Sequence, residues 1–131
     1  MRYQMIKNSE IQSGKYTARI TNIEIAKSVR FGSYIADVFK PIYAVEDSIV
    51  RDNGIFKYKR QEGYLYDAKK NWGYYKFLKS MGINNMQHIL DDKIIGKIVA
   101  LEVYQKNFRN EFDSYVKYPV GRVIKVVNTP F

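Results

Sequence analysis

Apolar residues recur along this chain with two different periods, and the changes of period divide it into elements. From Gly14 the pattern alternates, so that Tyr16, Ala18 and Ile20 fall on one face of a strand. The apolar phase then slips by one residue, to Ile23 and Ile25. One extra residue inside a strand is what a β-bulge inserts, and bulges bend strands enough to close small barrels. The pattern therefore predicts a long, bent first strand over 14–27. Residues 27–33 read as a turn, with Arg30 and Phe31 exposed at its tip and Gly32 supplying backbone freedom. A second strand follows over Tyr34–Val45, with Ala36, Val38 and Ile42 on one face and Ile35, Asp37, Phe39 and Tyr43 on the other. Pro41 cannot donate to a ladder and marks an edge position or another bulge. The polar stretch 46–53 ends in Asn-Gly, a turn signal, so the second and third strands are expected to form a hairpin with a longish loop.

The third strand opens the run GIFKYKRQEGYLY, residues 54–66. Beyond it the period changes to that of a helix. Asn71 is placed to cap a helix over 72–81, whose Tyr74, Phe77, Leu78 and Met81 form one stripe. Gly82 stands where a left-handed C-cap belongs, and Ile83 follows to pack back on the last turn. A second short helix is expected over 84–90, with Met86, Ile89 and Leu90 on one side. Gly96 starts a fourth strand with Val99, Leu101 and Val103 as its core face. A polar turn over 105–114 carries Lys106, Phe108, Arg109 and Phe112, and a fifth strand over 115–127 is broken by Pro119 and Gly121. Residues 1–13 are polar and irregular and read as a flexible N-terminal arm to a single domain over 14–131. Three strands, a helix and two strands is the order of the OB-fold, a five-stranded Greek-key barrel with its helix between strands three and four. An SH3-like barrel is the nearest rival, but it has no place for so strong a helix.

Charge changes this picture from a fold into a candidate function. The formal net charge is +9 and the pI near 9.6, which favours polyanionic partners. Residues 53–80 hold seven Lys or Arg against two acids, and eight of the twenty aromatics. Cations that follow a phosphate backbone, beside rings on which bases stack, are what a single-stranded nucleic acid needs. A plainer reading competes: alternating aromatics on a strand are usually core, and the lysines between them a solvated face.

On a regular strand Phe56, Tyr58, Arg60, Tyr64 and Tyr66 share one face, and Ile55, Lys57 and Lys59 the other. An arginine in the aromatic row argues that the row is not all sealed core, since a buried unpaired guanidinium is costly. The expectation is that Phe56 packs inward while Tyr58, Arg60 and Tyr64 lie near a groove mouth. OB-folds bind strands across their second and third strands and the flanking loops. That nominates Arg30, Phe31 and Phe39, then Lys57, Tyr58, Lys59, Arg60 and Tyr64, and Lys106, Phe108 and Arg109 from the last hairpin. Trp72, on a helix plugging a barrel, is expected in the core with the helical stripe.

Catalytic chemistry finds little support. His88 beside Asp91 and Asp92 lacks the ligand number and spacing of a metal site. Asp37 and Glu102 stand mid-strand without the downstream Glu-x-Lys partner of a nuclease. Gly54, Gly63 and Gly73 have the wrong spacing for a phosphate loop, and no serine sits in a glycine elbow. There are no cysteines, no apolar run of membrane-spanning length and no apolar signal core at the N-terminus. The sequence reads as a cytoplasmic protein that is not an enzyme and carries no cofactor, with no membrane partner.

In the stretches GKYTARITNIEIAKS (14–28), GIFKYKRQEGYLYDAKKNWGYYKFLKSMGI (54–83) and GKIVALEVY (96–104) the chain resembles the single-stranded-DNA-binding proteins of phages of Gram-positive hosts, the lactococcal group in particular. The resemblance covers most of 14–127. It implies an OB-fold, sequence-independent binding of single-stranded DNA, a homodimer or higher homo-oligomer, and a place in phage replication or recombination beside the proteins of those processes. Bacterial relatives end in an acidic tail closing with Pro-Phe; this chain ends in Pro130-Phe131, but Asn128-Thr129 precede them and no acidic run is present. A second strand apolar on both faces, through Ile35, Phe39 and Tyr43, points to the same self-association. Two other readings stay open: single-stranded RNA as the ligand, and a structural or protein-interaction barrel, such as a phage assembly component, whose basic face is incidental.

Overall fold

A computed structural model describes residues 11–60, 69–83, 92–109 and 115–127. The fold is mainly β: β1 (Gly14–Phe31), β2 (Tyr34–Val45), β3 (Ser48–Asp52), β4 (Ile55–Arg60), helix α1 (Trp72–Ser80), a 3₁₀ turn at Asp92–Ile94, β5 (Ile98–Arg109) and β6 (Tyr115–Val126). β1 pairs antiparallel with β2 along one edge and with β5 along the other. β5 pairs antiparallel with β6, β6 runs parallel to β3, and β3 returns antiparallel to β2. The hydrogen bonds thus close a ring in a six-stranded mixed sheet, giving a barrel-like fold.

The strand predicted over 14–27 is bent as its pattern indicates. Ile20 stands opposite Tyr43 and Asn22 opposite Ile42, so Thr21 is the extra residue of a bulge, and its hydroxyl donates to the Ile42 carbonyl at 3.2 Å. A second bulge sets Lys27 and Ser28 against Asp37, with Ser28 at φ 53°. Pairing resumes beyond it, so β1 runs on to Phe31 and the predicted seven-residue turn contracts to Gly32 and Ser33.

The expected long loop over 46–53 is also replaced. The chain reverses within Glu46 and Asp47 and forms β3, a strand whose polar sequence hides it because two neighbours hold it, β2 and β6. Asn53-Gly54 is a joint and not a reversal. β3 pairs with Ile42–Val45 of β2 and β4 with Tyr34–Phe39, along the same edge and in the same direction. The Asp52 carboxylate takes the Gly54 N–H at 2.9 Å, and Gly54 adopts φ 127°, which bends the chain there. Two further predictions are corrected on β5 and β6. β5 continues through 105–109 as ladder, and Pro119 and Gly121 lie inside an unbroken β6. A Cβ at Gly121 would come within 3.0 Å of Leu101 and Tyr43, so glycine there serves close packing across the interior.

The interior is filled by alternate residues of the ring, Ile20, Phe39, Tyr43, Val50, Val99, Leu101 and Val103, and by Tyr74, Leu78 and Met81 of α1. Phe39 stacks on Tyr74, centroids 6.2 Å apart and planes 30° from parallel. The helix ends as predicted: Gly82 at φ 72° and Ile83 close a Schellman motif, with N–H groups on Lys79 and Leu78 carbonyls at 3.0 and 2.9 Å. Tyr43 carries a polar thread into this core. Its hydroxyl donates to Asp52 at 2.7 Å, and burial pushes the Asp52 carboxyl above its usual range. Ile11 is buried among the same residues, and residues 1–10 of the expected arm lie outside the described residues, as does the expected helix over 84–90. Of Ile35, Phe39 and Tyr43, the residues that argued for self-association through β2, Phe39 and Tyr43 are fully buried within the chain itself and Ile35 is half-buried, so β2 does not present the two open apolar faces expected.

Candidate nucleic-acid interface

β4 sorts its residues by type between two environments. Phe56 and Tyr58 lie opposite Val38 and Ala36 of β2, on the outer face, and are half-exposed. Their rings stack at 5.8 Å with planes 27° apart. The tight β1–β2 turn delivers two more rings to the same place. Phe31 meets Phe56 edge-on at 5.3 Å and Tyr58 at 6.1 Å, and Tyr34 meets Tyr58 edge-on at 6.0 Å. Four aromatics from three adjacent strands form one ledge, with Ala36 fully buried at its centre. The Lys70 ammonium lies 5.0 Å from the Tyr34 ring centroid, in cation–π range, and Arg30 is exposed on β1 beside Phe31. Phe56, expected to pack inward, is a member of this ledge and not of the core.

The lysines of β4 turn the other way. Lys57 is only 6 % exposed, and its ammonium lies 5.3 Å from the Tyr74 ring centroid beneath α1. Lys59 pairs with Asp37 at 3.0 Å. Asp37 also accepts the Ser28 N–H at 2.9 Å, with Lys27 at 3.9 Å. Burial by itself would push the Asp37 carboxyl up; the Ser28 N–H and the Lys59 ammonium outweigh it and hold the carboxyl below its usual range. Lys57 and Lys59 were predicted to meet phosphate, and both are taken up by the protein. Phe39 is likewise corrected, being fully buried against Tyr74.

The remaining predicted residues divide between the placed and the undescribed. Lys106, on β5, donates to Asn53 at the β3–β4 joint and is half-buried. Arg60 stands opposite Tyr34, and Phe108 and Arg109 opposite Val116 and Tyr115. The side chains of those three, and Tyr64 entirely, lie outside the described residues.

Asn71 was read as the helix cap and does something else. Its carbonyl accepts the first helical hydrogen bond, from Tyr75 at 3.0 Å, but its side chain makes no cap. The fully buried amide instead receives the Tyr58 N–H at 2.7 Å and donates to the Tyr58 carbonyl at 3.1 Å. It pairs with β4 as a strand would and fixes the start of α1 against the ledge. Trp72, predicted as core, is 69 % exposed. Between β4, α1 and β6 lies a groove of about 790 Å³, bordered by Phe56, Tyr58, Trp72, Lys76, Lys79 and Arg122. The signal that places Trp72 outside was in the sequence. At about 100° per residue it lies on the face opposite the Tyr74, Phe77, Leu78, Met81 stripe, together with Lys76 and Lys79.

Among the described residues no group of three or more His, Cys, Asp or Glu is placed to hold a metal ion, and no helix is long and apolar enough to cross a membrane. No family model, curated protein or solved structure matches the chain.

Proposed function

We propose that the protein binds single-stranded DNA without sequence preference, on an OB-type barrel. The observation that carries this reading is the ledge of Phe31, Tyr34, Phe56 and Tyr58, four partly exposed rings on contiguous strands with Arg30 and Lys70 beside them. Stacking on aromatic faces tolerates any base, and the flanking cations serve the backbone. Support for the OB-type barrel comes from the ring itself. β3 and β4 lie end to end along β2 and act as one kinked third strand. The order around the ring is then first, second, third, fifth, fourth, with a helix between the third and fourth. The ledge sits on the second and third strands and the turn joining the first two, where that architecture presents its oligonucleotide surface. The resemblance to phage single-stranded-DNA-binding proteins agrees with this reading and adds replication or recombination as its setting.

Titration of fluorescein-labelled oligothymidylate, the matching duplex and an RNA of the same sequence, followed by anisotropy, tests it. Single-stranded DNA is expected to bind most tightly, with log K falling by about 0.7 per neutralised phosphate per decade of salt. Equal or tighter binding of duplex would remove the stacking argument. Preference for the RNA would move the ligand from DNA to RNA, and no binding at low salt would leave a protein-interaction barrel.

A further inference from the structure

We infer that the bound strand leaves the ledge across Trp72 and enters the groove along α1, so that Trp72 stacks a base and Lys76, Lys79 and Arg122 meet the phosphates beyond it. The inference rests on the proposed single-stranded-DNA binding and extends it to a surface outside the second and third strands of the barrel.

Three observations carry it. The first is Trp72 itself, the most exposed large apolar side chain among the described residues, at the lip of the groove. Its ring shares the groove lining with Phe56 and Tyr58, and an apolar surface that extends over several exposed side chains marks an interaction site more than a single exposed residue does. The second is charge. Lys70, Lys76, Lys79 and Arg122 border the groove, and Asp52 is the one carboxylate among its described lining residues. That carboxylate is already engaged by the Tyr43 hydroxyl and the Gly54 N–H. Arg122 is paired with Glu102, which stands outside the groove lining and holds the guanidinium in place. The surface therefore fits an anionic chain with flat bases. The third is geometry. Asn71 fixes the backbone of Tyr58 to the residue just before Trp72, and Lys70 reaches the Tyr34 ring. Ledge and groove are thus joined by two side chains and share Phe56 and Tyr58 as a common wall. A strand stacked on Tyr58 therefore has the groove lining as its path toward Trp72.

Trp72 is the chain's single tryptophan, so its emission reports this position alone. The full-length protein is titrated with unlabelled oligothymidylate of about 16 nucleotides, the upper site size for one OB-fold, exciting at the red edge where tyrosine does not absorb. Anisotropy of the labelled oligonucleotide is followed in parallel. Emission is expected to be quenched in step with the anisotropy. Trp72→Ala is expected to weaken binding about 5- to 150-fold and Trp72→Phe to recover part of it. Because the side chain is exposed, both variants should melt with the wild type. Lys76→Ala with Lys79→Ala should flatten the salt slope by about 1.4, two phosphates at 0.7 each. Tight binding with unchanged emission, and a Trp72→Ala protein that binds as the wild type does, would overturn the groove path and leave the ledge standing. Absence of any binding by anisotropy would overturn both.

Discussion

The two faces of β4 are built from one six-residue run, IFKYKR, and behave oppositely. Outward go Phe56 and Tyr58, half-exposed, stacked on each other and joined by Phe31 and Tyr34. Inward go Ile55, Lys57 and Lys59, of which Ile55 joins the core, Lys57 is buried beneath α1 and Lys59 neutralises Asp37. The common arrangement on a strand is the reverse, rings inside and ammonium groups in water. What inverts it is a carboxylate. Asp37 lies directly opposite Lys57 on the inner face, its side chain almost fully buried, and it requires cationic partners there. With Lys59 drawn in to Asp37, the alternation of the strand sends Phe56 and Tyr58 out. Lys57 and Lys59, which made this stretch attractive as a phosphate site, are spent on the fold, and the rings are what the strand presents to solvent.

If Asp37 sets the polarity of the strand, removing it should have the largest effect. Asp37→Ala leaves the Ser28 N–H and the Lys59 ammonium without their acceptor and should cost about 2–3 kcal/mol at neutral pH, read by thermal melting. The sign of the pH dependence follows from the depressed carboxyl. Its folded pKa lies below the ordinary 3.8, so the unfolded chain binds more protons in that interval and the stabilisation is lost as pH falls from about 4 through the folded value. The Asp37→Ala protein should lack this part of the acid-induced loss. A variant as stable as the wild type would separate the inversion from its proposed cause. The smallest effect is expected at Lys57. Methionine keeps the length of the side chain and its packing beside the Tyr74 ring, so Lys57→Met should lower the melting temperature less than Asp37→Ala does. It should also leave the salt slope of binding unchanged, because no phosphate reaches that side chain. A flattened slope would return Lys57 to the interface.

Much of this fold was legible where the sequence carries its own reason. The limits of β2 follow from a clean alternation ended by Glu46-Asp47, and the first bulge from the slip between Ile20 and Ile23. Gly82 and Ile83 announce the helix end because only glycine takes that backbone angle cheaply. The parts that escaped are set by partners distant in sequence. β3 is a strand because β2 and β6 flank it, and nothing in SIVRD demands one. Gly121 stays in β6 because Leu101 and Tyr43 press on it from across the interior. A period of two shows that the residues of β4 fall on two faces but not which face meets the core; that choice waits on Asp37. Of the candidate site, Phe31, Tyr58 and Arg30 were readable, and Trp72 was readable from its place on the helix although taken as core, whereas Tyr34 depends on where a turn points and Phe56 on which face of β4 meets the core.

The central claim is that the rings of β4, and not its lysines, hold the single strand. One salt-titrated anisotropy experiment on oligothymidylate with Tyr58→Ala and Lys57→Met side by side tests it most directly. Tyr58→Ala should weaken binding by about 1–3 kcal/mol at every salt concentration with an unchanged slope, while Lys57→Met follows the wild-type line. A Tyr58→Ala protein on the wild-type line, with Lys57→Met displaced and its slope flattened, would contradict the account.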